Sequence, residues 1–81
     1  PKQLGRLKVL AAWRETLAQT EDIPRVRILR DETLSDLVVN LPKDEEALKR
    51  VRSFPQHFKR QWKESFWKAV KEAEELPKEQ W

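Results

Sequence analysis

The stretch IPRVRILRDETLSDL, residues 23–37, crowds Arg25, Arg27 and Arg30 into a proline-bearing segment and then, after one aspartate, becomes an amphipathic helix. Pro24 and the lack of a helical stripe make residues 21–30 a loop with room for a short 3₁₀ turn. Ile23, Val26, Ile28 and Leu29 are its apolar anchors, and if they turn toward a core the three arginines are pushed outward together. Asp31 is a good N-cap. Leu34, Leu37, Val38 and Leu41 follow at the i, i+3, i+4, i+7 spacing of a helix that Pro42 stops.

Upstream, Leu4, Leu7, Leu10, Ala11, Trp13, Leu17 and Ala18 fall within one arc of a helical wheel and predict a helix over residues 4–20. Arg14 projects into that apolar arc, where an unpaired guanidinium is costly. Its stem should pack while its head reaches a carboxylate or the carbonyls of the following loop; a ligand-binding cation is the alternative. Downstream, Asp44 can cap a short helix whose first turn holds Glu45 and Glu46, with Leu48 and Val51 facing in. Three successive acids do not converge on one ion, because helical neighbours diverge by about 100°, so no metal site is expected. In the last helical region Phe58, Trp62, Phe66, Ala69, Val70, Ala73 and Leu76 share a face, with room for a break near Trp62. Trp67 lies off that face between Lys63 and Lys71, and packing against a neighbouring helix is favoured over an exposed stacking surface. The tail at residues 77–81 reads as a linker, with Trp81 docked on a neighbour in a longer parent or merely terminal.

The chain has 81 residues, 38% of them charged and 38% apolar, a single glycine and no cysteine. That describes one small helical domain, able to bury roughly 60% of its unfolded surface. The core should run over residues 4–76. The start at Pro1 suggests a piece of something longer. No apolar run is long enough to span a membrane. Absence of cysteine removes disulfides and thiolate metal sites and agrees with a reducing, cytoplasmic setting.

Net charge is only +3, but it is unevenly placed. Between residues 23 and 30 there are three cations and no acid; between 49 and 63 there are Lys49, Arg50, Arg52, Lys59, Arg60 and Lys63, again with no acid. Two such runs in a domain this small can form a phosphate-facing surface, although charged faces also serve solubility. Groups for catalysis are scarce. His57 has no acid nearby in sequence to orient it, so a surface or helix-end role is expected, and one glycine cannot make a phosphate loop. The chain therefore reads as a binding or docking domain without a cofactor.

LAAWRE at residues 10–15, then IPRVRILRDETLSDL, LPKDEEALKRVRSF at 41–54 and the amphipathic last helix resemble, together and in order, the HRDC domain shared by RecQ-like helicases and ribonuclease D, more the latter. The resemblance implies an all-α fold, a compact bundle of about five short helices of the SAM-like kind. It also implies a monomeric accessory module beside the parent's catalytic domain, binding RNA or DNA, single-stranded or tRNA-like, weakly. The family's contacts would fall on Arg25, Arg27 and Arg30 and on Lys49, Arg50, Arg52 and Lys59. Lys63 adds a cation where many members have glycine, and Ser53 stands at another usual glycine; both changes oppose a tight backbone approach to phosphate. Some helicase members place a stacking aromatic at the position of Val26, and valine cannot stack. An interdomain docking module using Trp67, Trp81 or the basic face is the competing expectation.

Overall fold

In the computed structural model, which describes residues 2–56, 58–77 and 79, the chain is built from five helices and no strand among those residues. They are α1 (Lys2–Glu21), α2 (Arg25–Ile28), α3 (Asp31–Val39), α4 (Glu45–Lys49) and α5 (Arg60–Glu74). The expected all-α bundle is the fold. His57 and Trp81 lie outside the described residues.

Strong helix formers fill α1, and it buries Leu10, Arg14 and Ala18 one turn apart, with Trp13 and Leu17 half-buried beside them. Leu4 and Leu7 continue the stripe but are 46% and 37% exposed. The helix ends in a two-bond lock: Ile23 N–H donates to Ala18 O and Asp22 N–H to Gln19 O, with Asp22 in the left-handed region at φ 55°. That reversal turns the chain back along α1 and sets α2 against it.

The segment at 25–28, expected to be loop or 3₁₀, is one turn of α-helix instead. Pro24 supplies a fixed φ of −61° just before it, and Leu29 N–H closes the turn on Arg25 O at 3.2 Å. Ile28 and Leu29 anchor it at 1% exposure, Ile23 is half-buried, and Val26 is 54% exposed. The expected anchor role of Val26 is thus wrong: a single helical turn turns two neighbouring side chains inward at its end and leaves the one two residues earlier outside. Asp31 does not cap α3 either. Arg30 is the N-cap residue, without a side-chain bond, and Asp31 is drawn to Arg14.

Leu34, Leu37 and Val38 of α3 are buried, as is Thr33. α4 starts at the predicted cap: Asp44 Oδ1 accepts from Ala47 N–H at 2.8 Å. In α5 the side chains of Trp62, Phe66, Ala69, Val70 and Ala73 form the predicted face. Phe58 precedes the helix and packs on the core from outside it. The core centres on Phe66, fully buried and ringed by Trp13 at 5.3 Å, Phe54 at 5.6 Å, Phe58 at 5.9 Å and Trp67 at 5.2 Å. Truncating such a residue costs about 3–5 kcal/mol, a large share of a small domain's stability. Three indole N–H groups stitch the elements: Trp13 to Ser65, Trp62 to Glu21, and Trp67 to Glu45. Trp67 is half-buried against the core and its indole is bonded to Glu45 of α4, the expected packing on a neighbouring helix.

Candidate nucleic-acid interface

Two tethers bring distant basic stretches together. Arg14 Nη1 donates to Leu29 O at 2.8 Å and meets Asp31 at 2.9 Å, so the middle of α1 holds the link between α2 and α3. The expected role of Arg14 is the observed one. Across α3, Thr33 Oγ1 donates to Ser53 O at 2.9 Å, and Ser53 Oγ donates to Asp36 Oδ2 at 2.6 Å. These bonds lay the exit of α4 against α3, and the side chains of Arg27, Arg30 and Arg52 then border one groove, with Val26 and Pro55 also on its walls. All three arginines are exposed, and among the described residues they form no ion pair. Glu32 and Asp36 also line the groove, but Asp36 is engaged by Ser53. A second depression shares Arg52 and Asp36 with the first and adds Arg50.

The remaining predicted residues separate from this group. Arg25 turns toward α1 and pairs with Glu15 at 3.5 Å, bordering a different depression on the far side of Val26. Lys63 pairs with Glu45 at 3.1 Å, and Lys49 lines the same cleft between α4 and α5. Lys59 places its Nζ 5.2 Å from the ring centre of Trp62. Glu45 is held below the ordinary carboxylate value, first by its hydrogen bond from Lys63 and then by that from Trp67, with the charges of Lys63 and Lys49 adding to them; slight desolvation opposes the shift.

Sequence reasoning missed Thr33, Asp36 and Ser53 as positioning residues. Their partners lie 20 and 17 residues away, and a buried threonine on an apolar helix face is the one signal that pointed to them. Ser53 replaces the glycine usual at its place without strain, since Asp22 is the residue with positive φ among those described. No group of three or more His, Cys, Asp or Glu gathers to hold a metal ion among the described residues. No helix there is long and apolar enough to cross a membrane.

An all-helical module with a tethered arginine groove is the class that this geometry defines, and residues 3–70 match the HRDC domain family, to which the chain belongs. It is similar to ribonuclease D of Nitrobacter hamburgensis, at 39% identity over 84 residues, covering 96% of this chain and 22% of that protein. It is also similar to ribonuclease D of Zymomonas mobilis subsp. mobilis, at 57% over 49 residues, covering 60% and 13%. A third relative is ribonuclease D of Pseudomonas paraeruginosa, at 35% over 81 residues, covering 100% and 22%. The chain spans about a fifth or less of the length of these relatives. No solved structure matches it.

Proposed function

We propose that this HRDC domain is an accessory nucleic-acid-binding module of a ribonuclease D, a 3′–5′ exoribonuclease that trims RNA ends, and that it holds substrate while a catalytic domain elsewhere in the parent does the chemistry. The observation that carries the reading is the groove bordered by Arg27, Arg30 and Arg52, three exposed guanidinium groups from two stretches far apart in sequence that form no ion pair among the described residues. The names of the relatives favour ribonuclease D over a helicase as the parent. Arg50, Lys49 and Lys59 extend the positive surface, and Arg25 and Lys63 join it where a phosphate displaces Glu15 or Glu45.

Guanidinium groups suit phosphate because their planar forks bond it bidentately, and each contact releases condensed counterions. With three to five such contacts the domain alone binds weakly, in the range of roughly 10⁻⁴–10⁻⁶ M. Tethering turns that weak contact into a raised local concentration of RNA at the catalytic domain. In this role the module works as a cytoplasmic monomer without a cofactor.

Titrating the 81-residue chain with single-stranded RNA and with a tRNA-like hairpin at two salt concentrations tests the reading. Binding should weaken steeply as salt rises. Absence of binding even at low salt would overturn it and leave the basic face as a docking surface for another part of the parent.

A further inference from the structure

Pro55 lines two depressions at once, the arginine groove on one side and, on the other, a cleft of about 270 Å³ between α4 and the start of α5. The cleft differs in kind from the groove. Leu48, Val51, Phe54 and Phe58 wall it, and Lys49 and Lys63 stand at its rim with Glu45. Phe54 and Phe58 are half-buried, with ring centroids 4.9 Å apart and planes inclined at 47°. Each also packs on buried Phe66, at 5.6 and 5.9 Å, which fixes the rings while part of their surface stays open.

A rigid aromatic wall ringed by cations suits a ligand that is flat and apolar in one part and anionic in the next. A duplex brings phosphates but keeps its bases stacked inside. An apolar peptide side chain fills the cleft but leaves the cations unused. A single strand supplies both parts, a base for the rings and phosphates for the lysines and, beyond Pro55, the arginines. The cleft volume sits near the roughly 300 Å³ lower end of small-molecule sites, enough for one ring system.

We infer that the Phe54–Phe58 cleft accepts one nucleobase of a single-stranded RNA whose backbone continues into the groove of Arg27, Arg30 and Arg52. The inference rests on the proposed nucleic-acid role and narrows it from phosphate contact to unpaired strands. Glu45 holds Lys63 at the cleft and is displaced by, or shares Lys63 with, the phosphate beside the bound base.

Two probes of equal phosphate number decide it: a mixed-sequence RNA octamer and the same octamer with abasic ribose throughout, each titrated into the 81-residue chain at low and high salt. The base-bearing octamer should bind about 5- to 100-fold more tightly, and Phe58→Leu should erase that difference while leaving affinity for the abasic octamer unchanged. Amide chemical shifts of the wild-type chain give the same answer without a variant. With the base-bearing octamer they should move at Phe54 and Gln56 as well as at Arg27, Arg30 and Arg52, and with the abasic octamer at the cationic residues without Phe54 and Gln56. Equal affinities for the two probes overturn the base site and leave phosphate binding standing. A base preference that survives Phe58→Leu, or that leaves the Phe54 and Gln56 shifts unmoved, places the base elsewhere and overturns the cleft. No salt-sensitive binding of either probe overturns the nucleic-acid role and the base site with it.

Discussion

Arg14 Nη1 donates to the carbonyl oxygen of Leu29 at 2.8 Å, joining the middle of α1 to the short link between α2 and α3. The Arg14 side chain is 7% exposed, whereas that of its carboxylate partner Asp31 is 83% exposed. Solvent screens the carboxylate, but the Leu29 carbonyl is left in a buried setting without the guanidinium. Arg14→Met keeps much of the packing and strips the donor, and should cost about 1–3 kcal/mol. Asp31→Asn should cost less than about 1 kcal/mol. Urea unfolding of the two variants checks the order; a larger loss for Asp31→Asn would mean that the ion pair, not the carbonyl bond, holds the link.

Asp22 sits at φ 55° where α1 ends. A side chain there crowds the following carbonyl, and glycine would not. The two bonds of the lock, from Ile23 and Asp22, come from backbone groups and survive a change of side chain. Asp22→Gly should therefore stabilise the domain by about 0.5–1 kcal/mol, a rise in melting temperature of a few degrees for a chain this size. Thermal unfolding followed by circular dichroism reads it directly, and a fall instead would reveal a contact of the Asp22 carboxylate that outweighs the backbone term.

Glu45 ties Lys63 and Trp67 of α5 to the first turn of α4. Its folded-state pKa is below the ordinary 4.5, so its contribution to stability is present above pH 4.5 and is lost as pH falls through the depressed folded value. The group is well solvated, so the effect is small. Glu45→Gln should flatten the acid side of the stability profile, and in the wild type the Trp67 emission should change over the same acid window. Urea midpoints between pH 3 and pH 6 for the two proteins test this; parallel profiles would place the acid sensitivity on other carboxylates.

Residues whose chemistry contradicts their neighbourhood were the most legible in the sequence. Arg14 announced a tether because a cation in an apolar arc needs a partner, and Asp44 announced a helix start because the acids and Leu48 follow it at fixed spacing. The periodic faces of α1, α3 and α5 were equally plain. What stayed hidden was short or distant. A single turn such as α2 has no period to detect, so nothing in its spacing separates exposed Val26 from the buried anchors Ile28 and Leu29. Asp31 looked like a cap by composition, yet a buried guanidinium competes for the same carboxylate and wins. The basic runs could be counted, but which cations stay unpaired depends on contacts such as Arg25 with Glu15 and Lys63 with Glu45, which no spacing rule supplies.

The unequal fates of the basic residues lead to a graded prediction for RNA binding. Arg27 and Arg52 border the groove from α2 and from the exit of α4, exposed and free of ion pairs among the described residues, whereas Arg25 is turned to Glu15 on the other side of Val26. Each guanidinium that meets a phosphate of a single strand adds about 0.7 to the slope of log affinity against log salt. Arg27→Gln and Arg52→Gln should each weaken binding and lower that slope by about this amount, and the double variant by about twice it. Arg25→Gln should change the slope less, because its charge is already shared with a carboxylate. All three positions are exposed, so unfolding midpoints should stay within about 0.5 kcal/mol of the wild type. Anisotropy titrations at four or more salt concentrations give the slopes. If Arg25→Gln lowers the slope as much as Arg52→Gln does, the strand runs over α1 and not along the groove beside α3.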